Sequence, residues 1–562
     1  MEEVRSEAVR LSQNITIGRT AFFDETGVSS ELEYKRSAVK EGRIMVHAHI
    51  GMSSWQATAE ALKKLYTGTK ELGIQVDRYG LCLDRRMGLP KRLRHNVPAE
   101  TGPTLDCPED WQELARLVPI QPHMGDSMIG FPASAENTLL ALQAGVTTIG
   151  NLSQYFSMQA PTWRDQAATA KETVKAMAII GALRNKGTML HSYLEDGLGS
   201  LFYDCATVAG WAMLEKYLAE ELLGAKLTHC NGGLTSDPIK RAGWIFALDS
   251  IHDGDCVGSM FYGDTISFSE DYEWNRGIVA EYMLWDAMAQ VVCPTGHALH
   301  PLPVTEAIRV PSSDEIMDIH IFARRVIKTA ERMAPYMDFS KPRAFADQIV
   351  SAGKMVCQNA LDGLQEAGVE IKNPLEMLYV LKHLGAAAFE ELFGAGKQAE
   401  GFPRGREPLV PTDVFEHTRA QKDKLMNDLS PDLLAKAKGK TVILASTDVH
   451  EHALFLLHQL LQQAEAKIIN LGPEMNTDQI AAAADQHASD LVVVSTHNGM
   501  ALEYALNLKR ELEQLNCHLP VFMGGKLNQK YTDQTMPVNV ETEIKDLGFY
   551  PCLQVKDFFA QL

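Results

Sequence analysis

A chain of 562 residues with 45% hydrophobic and 22% charged residues has the composition of a globular protein, and it is long enough to form several domains. Its formal net charge of −19 argues against a general binder of nucleic acid or of anionic membranes, because both need clustered Lys and Arg. No apolar run could span a membrane, no signal peptide opens the chain, and the nine Cys lack metal-ligand spacing, so we expect a cytoplasmic protein.

Eight short apolar runs precede polar turns in the first half of the chain, and most are separated by segments with helical periodicity. Eight strands alternating with helices are typical of an α/β fold of the (β/α)8 TIM-barrel type, which we predict for residues 1–310. The eight runs are 43–48, 79–83, 119–122, 147–150, 188–191, 226–230, 256–261 and 290–293.

Polar side chains follow these runs, at the strand ends where active sites of such barrels lie. Seven are histidines, a number that favours a functional pocket over chance placement. The predicted catalytic residues are His49, His123, Asn151, His191, His229, Tyr262 and His297. Arg85, Arg86 and Asn231 are predicted to bind a small polar substrate, because their donors can hold a carboxylate or a carbonyl without a cation.

Three long helical stretches follow the barrel, at about 313–335, 342–367 and 374–396, and predict a helical annex over 311–400. A stretch rich in Gly and Pro then breaks the pattern, so 401–438 is predicted to be a linker.

The last segment alternates apolar strands with helices. Runs at 440–446, 466–471, 490–496 and 519–523 are interleaved with helical segments and predict a doubly wound, Rossmann-like (flavodoxin-like) domain over 439–562. In such sheets ligands bind outside the carboxyl ends of the strands. Three polar or glycine-rich turns fall there: Asp448-Val449-His450, Ser495-Thr496 and Gly524-Gly525.

The turn at 448–450 has two interpretations. An Asp-x-His turn can present an imidazole to a metal, while the carboxylate fixes the imidazole tautomer. Alternatively, Asp448 caps a helix whose first turn is solvated. The turns at Ser495 and Gly524-Gly525, on later strand ends, favour the first interpretation.

Together these turns resemble the cobalamin-binding domain of adenosylcobalamin mutases, of the methylmalonyl-CoA mutase and methionine synthase type. The resemblance implies that His450 is the lower cobalt ligand and that Asp448 orients it. It also implies that Ala453, Ser495, Thr496, Gly524 and Gly525 line the cofactor site. Two positions depart from the family, because Ala453 replaces a glycine and His497 replaces a leucine.

The barrel segment is more distantly similar to glutamate mutase (methylaspartate mutase), at 121–125 and at 295–307. The resemblance implies an adenosylcobalamin-dependent radical isomerase, a carbon-skeleton mutase, acting on a small polar, carboxylate-bearing substrate. Glutamate itself is not implied, because His49 and His123 stand where that family has arginines. We expect a homodimer that binds neither nucleic acid nor membrane.

Three alternatives remain open. A metal-dependent barrel hydrolase could use His47, His49, His191 and His229, although no Asp ends the eighth run. A cobalamin aminomutase that also requires pyridoxal phosphate is a second, although no lysine is marked as its Schiff-base site. A non-catalytic cobalamin sensor or carrier is the third.

Overall fold

The computed structural model describes residues 2–99, 102–399, 402–447, 452–472, 475–497, 499–529, 531 and 537–562. The chain divides into two compact units, Met1–Asp413 and Val414–Leu562.

Eight short strands of the first unit pair in parallel, each with the next along the chain. They are β1 His47–Ile50, β2 Arg78–Leu81, β3 Gln121–His123, β4 Thr148–Ile149, β5 Met189–Tyr193, β6 Lys226–Cys230, β7 Met260–Phe261 and β8 Ala298–Leu299. Regular ladders join β1 to β2, β2 to β3, β4 to β5, β5 to β6 and β7 to β8. Single parallel bridges join the remaining neighbours: Met124 with Ile149, Asn231 with Phe261, and Val46 with Leu299.

Fifteen helices of the first unit surround or extend these strands among the described residues. They are α1 Glu2–Gln13, α2 Ala21–Thr26, α3 Glu31–Glu41, α4 Trp55–Glu71, α5 Lys91–Arg94, α6 Pro108–Arg116, α7 Ser134–Ala144, α8 Gln154–Ser157, α9 Gln166–Ala182, α10 Cys205–Lys216, α11 Pro238–Ile251, α12 Tyr272–Val292, α13 Ser313–Met333, α14 Ser340–Glu366 and α15 Pro374–Phe393. The core between strands and helices is continuous, and it buries the large rings of Trp211 and Trp244.

The three long helices predicted as an annex pack on the helices of the same unit. α14 contacts α10 and α11, α13 contacts α12 and α4, and α15 contacts α9. α13 begins at a capping box of Ser312 and Glu315. At the end of the predicted annex, β9 Lys397–Gln398 pairs antiparallel with β10 Arg406–Glu407, which lies in the predicted linker. Two helices follow in the linker, α16 Asp413–Asp428 and α17 Pro431–Ala435.

One predicted strand is wrong. Residues 290–293 were expected to be the eighth strand, but they form the C-terminal end of α12 and its cap. The eighth strand is the two-residue β8, which is too short to leave a periodic pattern in the sequence. His300 therefore directly follows the strand and His297 directly precedes it.

The second unit is a five-stranded parallel sheet with helices on both faces. Its further elements are β11 Thr441–Ser446, α18 His452–Gln463, β12 Lys467–Gly472, α19 Thr477–Gln486, β13 Leu491–Thr496, α20 Ala501–Gln514, β14 Val521–Gly525, β15 Asn528–Gln529, β16 Val538–Asn539, α21 Glu541–Asp546, β17 Tyr550–Cys552 and α22 Val555–Gln561. The strand order is β12-β11-β13-β14-β17, so the direction of winding reverses between β11 and β13.

Both faces of this sheet are apolar. Along β11, Val442 and Leu444 belong to one core, and Ile443 and Ala445 belong to the other. This explains why the strands read as continuous apolar runs rather than as alternating ones. Across the described ranges, no helix is both long and apolar enough to cross a membrane.

Candidate functional site

Five histidine rings of the first unit meet edge to face. They are His47, His49, His123, His191 and His300, which we call the imidazole cluster. Ring centroids are 4.6 Å apart for His123 and His191, 5.3 Å for His47 and His300, and 5.7 Å for His47 and His49. The rings come from β1, β3, β5 and the residue after β8. Because they contact one another, they project to one shared side of these strands, which we call the inner face.

Glycines on neighbouring strands make room for these rings. A Cβ at Gly80 would lie 2.9 Å from Nε2 of His47, and a Cβ at Gly150 would lie 2.5 Å from Cδ2 of His191. Gly125 has the same role beside His123, at 3.2 Å from its Nε2. Any larger residue would displace an imidazole.

His49 is the member of the cluster with the most polar contacts. Its Nε2 lies 3.5 Å from the Asp126 carboxylate, and its Nδ1 lies 3.4 Å from the hydroxyl of Tyr262. Burial alone would lower its pKa, but the Cys82 thiol and the Asp126 carboxylate together hold the pKa well above its usual range. His49 is therefore the charged member of the cluster at neutral pH.

The other rings are neutral. Burial, and then the charge of Arg78, hold the pKa values of His47, His123 and His191 well below the usual range for histidine. Burial has the same effect on His300. Both ring nitrogens of His47 and of His123 are buried without a hydrogen-bond partner, so these rings have unused capacity for a polar ligand.

A group of buried charges adjoins the cluster, and sequence reasoning missed it. The side chains of Arg78, Lys35 and Glu31 are fully buried, and Glu31 lies 3.3 Å from Arg78 and 3.8 Å from Lys35. Burial and the charge of Arg78 lower the pKa of Lys35 to about 7. A signal was present in the sequence, because Arg78, Gly80 and Cys82 alternate with apolar residues at the strand period of two.

Asn151 contacts a second polar group. Its Nδ2 donates to Asp196 at 2.8 Å, while Gln154 donates to Asp126 at 3.2 Å. Burial, together with the charge of Asp126, raises the pKa of Asp196 to about 7. Asn231, predicted as a substrate donor, is fully buried, and neither polar atom of its side chain has a partner.

The structure places four predicted site residues apart from the imidazole cluster. Nδ1 of His229 lies 2.9 Å from Nε2 of His252, and Nε2 of His229 lies 3.2 Å from the Glu215 carboxylate. Glu215 belongs to α10 and His252 directly follows α11, so the His229 ring faces the helices. His297 contacts the hydroxyl of Thr295 at 2.7 Å. Arg86 is paired with Asp84 at 2.9 Å, and Arg85 is partly buried in the same turn.

The hydrolase alternative requires His191 and His229 to share one metal with His47 and His49. His229 is held in the helical layer, whereas His191 faces the cluster. In the part of the chain that the structure describes, no group of three or more His, Cys, Asp or Glu side chains is arranged to hold a metal ion.

In the second unit, four of the predicted cofactor residues, Ser495, Thr496, Gly524 and Gly525, lie at the carboxyl edge of the sheet. Ser446 on β11 is in register with Ser495 on β13, and Thr496 is in register with Gly525 on β14. The Ser495 hydroxyl is buried without a hydrogen-bond partner. Gly525 has a φ of +92°, and a Cβ there would lie 2.4 Å from the Thr496 carbonyl oxygen. Gly524 is partly buried beside it.

Asp448 and His450, the predicted cobalt-binding pair, lie outside the described residues. In the sequence they fall between the end of β11 and the start of α18. Ala453 is partly buried in the first turn of α18. His497, where the family has leucine, lies against Gly525: a Cβ on that glycine would be 2.8 Å from its ring.

Comparison with known families identifies this domain. Residues 440–544 match the family model described as the B12 binding domain. The second unit therefore contains a B12-binding domain, as the sequence predicted.

Individual proteins match the same region. The chain is 31% identical over 97 residues to glutamate mutase sigma subunit 1 of Haloarcula marismortui, and 29% identical over 115 residues to the glutamate mutase sigma subunit of Halobacterium salinarum. These matches cover 17% and 20% of this chain and 64% and 75% of the relatives, so the chain spans less than two thirds of the first relative. A crystal structure of a cobalamin-binding protein from Desulfitobacterium hafniense is 17% identical, with 38% of this chain and 94% of that chain covered and a TM-score of 0.20.

Proposed function

We propose that this protein is an adenosylcobalamin-dependent radical isomerase, a carbon-skeleton mutase that acts on a small polar substrate carrying a carboxylate. The observation that carries the proposal is the presence, on one chain, of a B12-binding domain and of eight parallel strands with a polar inner face. The sigma subunits to which the chain is similar are named as parts of glutamate mutase, which supports the mutase class. The proposal includes closure of the eight strands of the first unit into a (β/α)8 barrel.

The sheet edge of the second unit fits cobalamin. The unpartnered hydroxyl of Ser495 can donate to a polar group of a ligand, and Gly525 allows the backbone to turn at a positive φ beside Thr496 and His497. His450 would be the lower ligand of cobalt, with Asp448 accepting from its other ring nitrogen. When bound, the cofactor supplies a weak cobalt–carbon bond and therefore radical chemistry.

The barrel residues bind and orient the substrate in this proposal. His49, as the imidazolium beside Asp126, supplies positive charge, and the neutral rings of His47 and His123 supply unpaired donors and acceptors. Asn151 and Tyr262 complete a polar rim. The burial of the cluster excludes bulk water from the substrate, which protects a radical intermediate.

Electron paramagnetic resonance of the cobalt(II) form tests the cofactor assignment. With ¹⁵N-labelled protein, hyperfine coupling from a protein nitrogen is expected, and it should disappear in His450→Ala. His452→Ala is the matched control, two residues away, and should keep the coupling. Coupling from the dimethylbenzimidazole nitrogen in the parent protein contradicts the assignment.

A second experiment tests the role of the barrel. His49→Gln and His123→Gln should bind cobalamin as the parent does, since the cofactor is held by the other unit, but should lose substrate-triggered cobalt–carbon cleavage. A stoichiometric zinc, manganese or iron that His47→Ala removes would instead favour the hydrolase.

A further inference from the structure

We infer that Ser259, held by Arg78, fixes the tautomer of His191, so that this ring presents an Nε2–H donor to an oxygen atom of the substrate. The tautomer depends only on contacts inside the first unit. Its use in binding a substrate rests on the proposed function. Ser259 and Arg78 are positioning residues in this scheme, because they act through His191.

The first step is the direction of the hydrogen bond between Arg78 and Ser259. The Nη1 of Arg78 lies 3.2 Å from the Ser259 hydroxyl, and it also donates to the carbonyl oxygen of the same residue. A guanidinium has only donors and keeps its proton. The Ser259 hydroxyl oxygen must therefore accept from Arg78.

The second step follows from the single proton of the hydroxyl. The other contact of the Ser259 oxygen is Nδ1 of His191, at 2.8 Å. A hydroxyl oxygen can accept twice, but its single proton needs an acceptor, and Ser259 is fully buried. Of its two described side-chain neighbours only Nδ1 of His191 can accept, since Arg78 has donors alone, so the O–H donates to His191 and Nδ1 is the unprotonated nitrogen. The pKa of His191 is well below its usual range, owing to burial and then to Arg78, so the ring has one proton, on Nε2.

The third step is the direction of that proton. A Cβ at Gly125 would lie 3.9 Å from Nε2 of His191 and 3.2 Å from Nε2 of His123. Both nitrogens therefore border the same small space, just beyond the end of β3. His123 has no hydrogen-bond partner for either ring nitrogen.

The chemical class of the ligand follows. An N–H donor selects an acceptor, and the buried cation of Arg78 nearby makes an anionic acceptor more favourable than a cationic group. The space beside Gly125 is therefore a subsite for a carboxylate or carbonyl oxygen, and it disfavours an ammonium group.

Magic-angle-spinning ¹⁵N spectra of protein labelled at histidine test the tautomer, and His191→Gln identifies the His191 signals by difference. We expect a non-protonated Nδ1 that accepts a hydrogen bond and a protonated Nε2. A protonated Nδ1 in the parent protein overturns the inference, and this result requires no variant at Ser259 to fold.

Two variants and one control test the role of Ser259. Ser259→Ala should shift the Nδ1 signal of His191 to that of a nitrogen without a hydrogen bond, and Ser259→Thr should restore it. Ser192→Ala is the control, because the Ser192 hydroxyl is buried next to His191 in sequence but has no hydrogen-bond partner. An unchanged Nδ1 signal in Ser259→Ala contradicts the inference.

Titration of the apoprotein with sodium acetate or with methylammonium chloride tests the ligand class. Acetate should shift the Nε2 signal of His191, whereas methylammonium should not. A shift with methylammonium alone, or no shift with acetate, overturns the carboxylate subsite. The result is independent of cobalamin, so it is distinguishable from failure of the cobalt(II) experiment.

Discussion

The two units place polar groups on their parallel strands in opposite ways. The strands of the first unit carry charged and polar side chains within the strands themselves, among them Arg78, His47 and His191, which are all buried. The sheet of the second unit is apolar on both faces, and its candidate ligand groups occur only where strands end, as at Ser495 and Gly525. In the first unit, therefore, the same buried strand residues contribute to stability and to the candidate binding site. In the second unit, the apolar strand residues contribute to stability, and the candidate ligand groups are separate residues at the strand ends.

The largest effect is expected from breaking the buried charge group of the first unit. Arg78→Ala leaves Glu31 buried beside Lys35 without its principal partner, and should lower the free energy of unfolding by about 3–5 kcal/mol. Arg36→Ala, whose partner Asp255 is exposed, should cost no more than ~1 kcal/mol. Urea unfolding followed by hydrogen exchange should localise the loss to the first unit. An equal loss in the free energy of unfolding for both variants would mean that the buried charges do not stabilise the first unit more than surface charges do.

In the second unit, the substitution that corresponds to Arg78→Ala removes a buried apolar side chain. Leu444→Ala creates a cavity in the centre of the sheet and should cost about 2–5 kcal/mol. Leu506→Ala, at an exposed site, should stay within ~0.5 kcal/mol. The same hydrogen-exchange measurement should show the loss in 414–562 only. Cobalamin binding at saturating cofactor should persist, since Leu444 faces the core and not the sheet edge.

Gly525→Ala tests the sheet edge itself. The added Cβ would meet the Thr496 carbonyl oxygen and the His497 ring, so we expect a loss of about 1–3 kcal/mol and weaker cobalamin binding. Gly548→Ala is the control, because its φ of +89° is equally unfavourable but no atom lies within 4 Å of the Cβ. Calorimetric titration with cobalamin should separate the two variants. Equal affinities would mean that the local arrangement of Gly525, Thr496 and His497 is not required for cobalamin binding.

The smallest effect is a pH dependence in the first unit. The folded pKa of Asp196 is about 7, above the value of ~3.9 for an unfolded chain, so the folded protein binds an extra proton between these values. The stability that this proton contributes is lost as the pH rises to about 7. Asp196→Asn should therefore gain stability relative to the parent between pH 4 and pH 7 in urea unfolding.

Asp255→Asn should show the opposite sign. Burial opposes ionisation of Asp255, but the charges of Lys226 and Arg36 outweigh it and lower its pKa, so its contribution is present above the unfolded pKa and lost in acid. If the free energy of unfolding of both variants, relative to the parent, changed with pH in the same direction, the pH dependence could not be assigned to Asp196.

The second unit was predictable because one physical pattern dominates it. Each strand buried on both faces is a run of apolar residues, and β11, β13 and β14 fall where such runs occur in the sequence. The candidate ligand residues could then be located in the sequence, because Ser495-Thr496 and Gly524-Gly525 stand at the ends of β13 and β14. The residues 448–451 lie outside the described part of the chain, so the role of His450 remains a prediction.

The first unit was predictable only in part, because its inner face is polar. β7 and β8 have two residues each, and the apolar run at 290–293 belongs to α12. That error drew attention to His297 rather than His300. Arg78 was missed because a charged residue at the start of a strand normally lies at the surface, whereas here it is buried and forms an ion pair with Glu31, from a helix distant in sequence.

The glycines beside the imidazole cluster have a consequence for how this site can be recognised in other sequences. Gly80 and Gly125 do not have the positive φ that usually explains a glycine, so alanine would be acceptable to the backbone at both. They are restricted instead by the volume of the neighbouring rings, whereas a Cβ at Gly150 would also meet the His191 carbonyl oxygen. Deep mutational scanning should therefore show that Gly80 and Gly125 disfavour even a methyl group, and that they tolerate it once the facing histidine is shortened. Glycine and histidine would covary as pairs, a signature of this cavity that sequences alone can reveal.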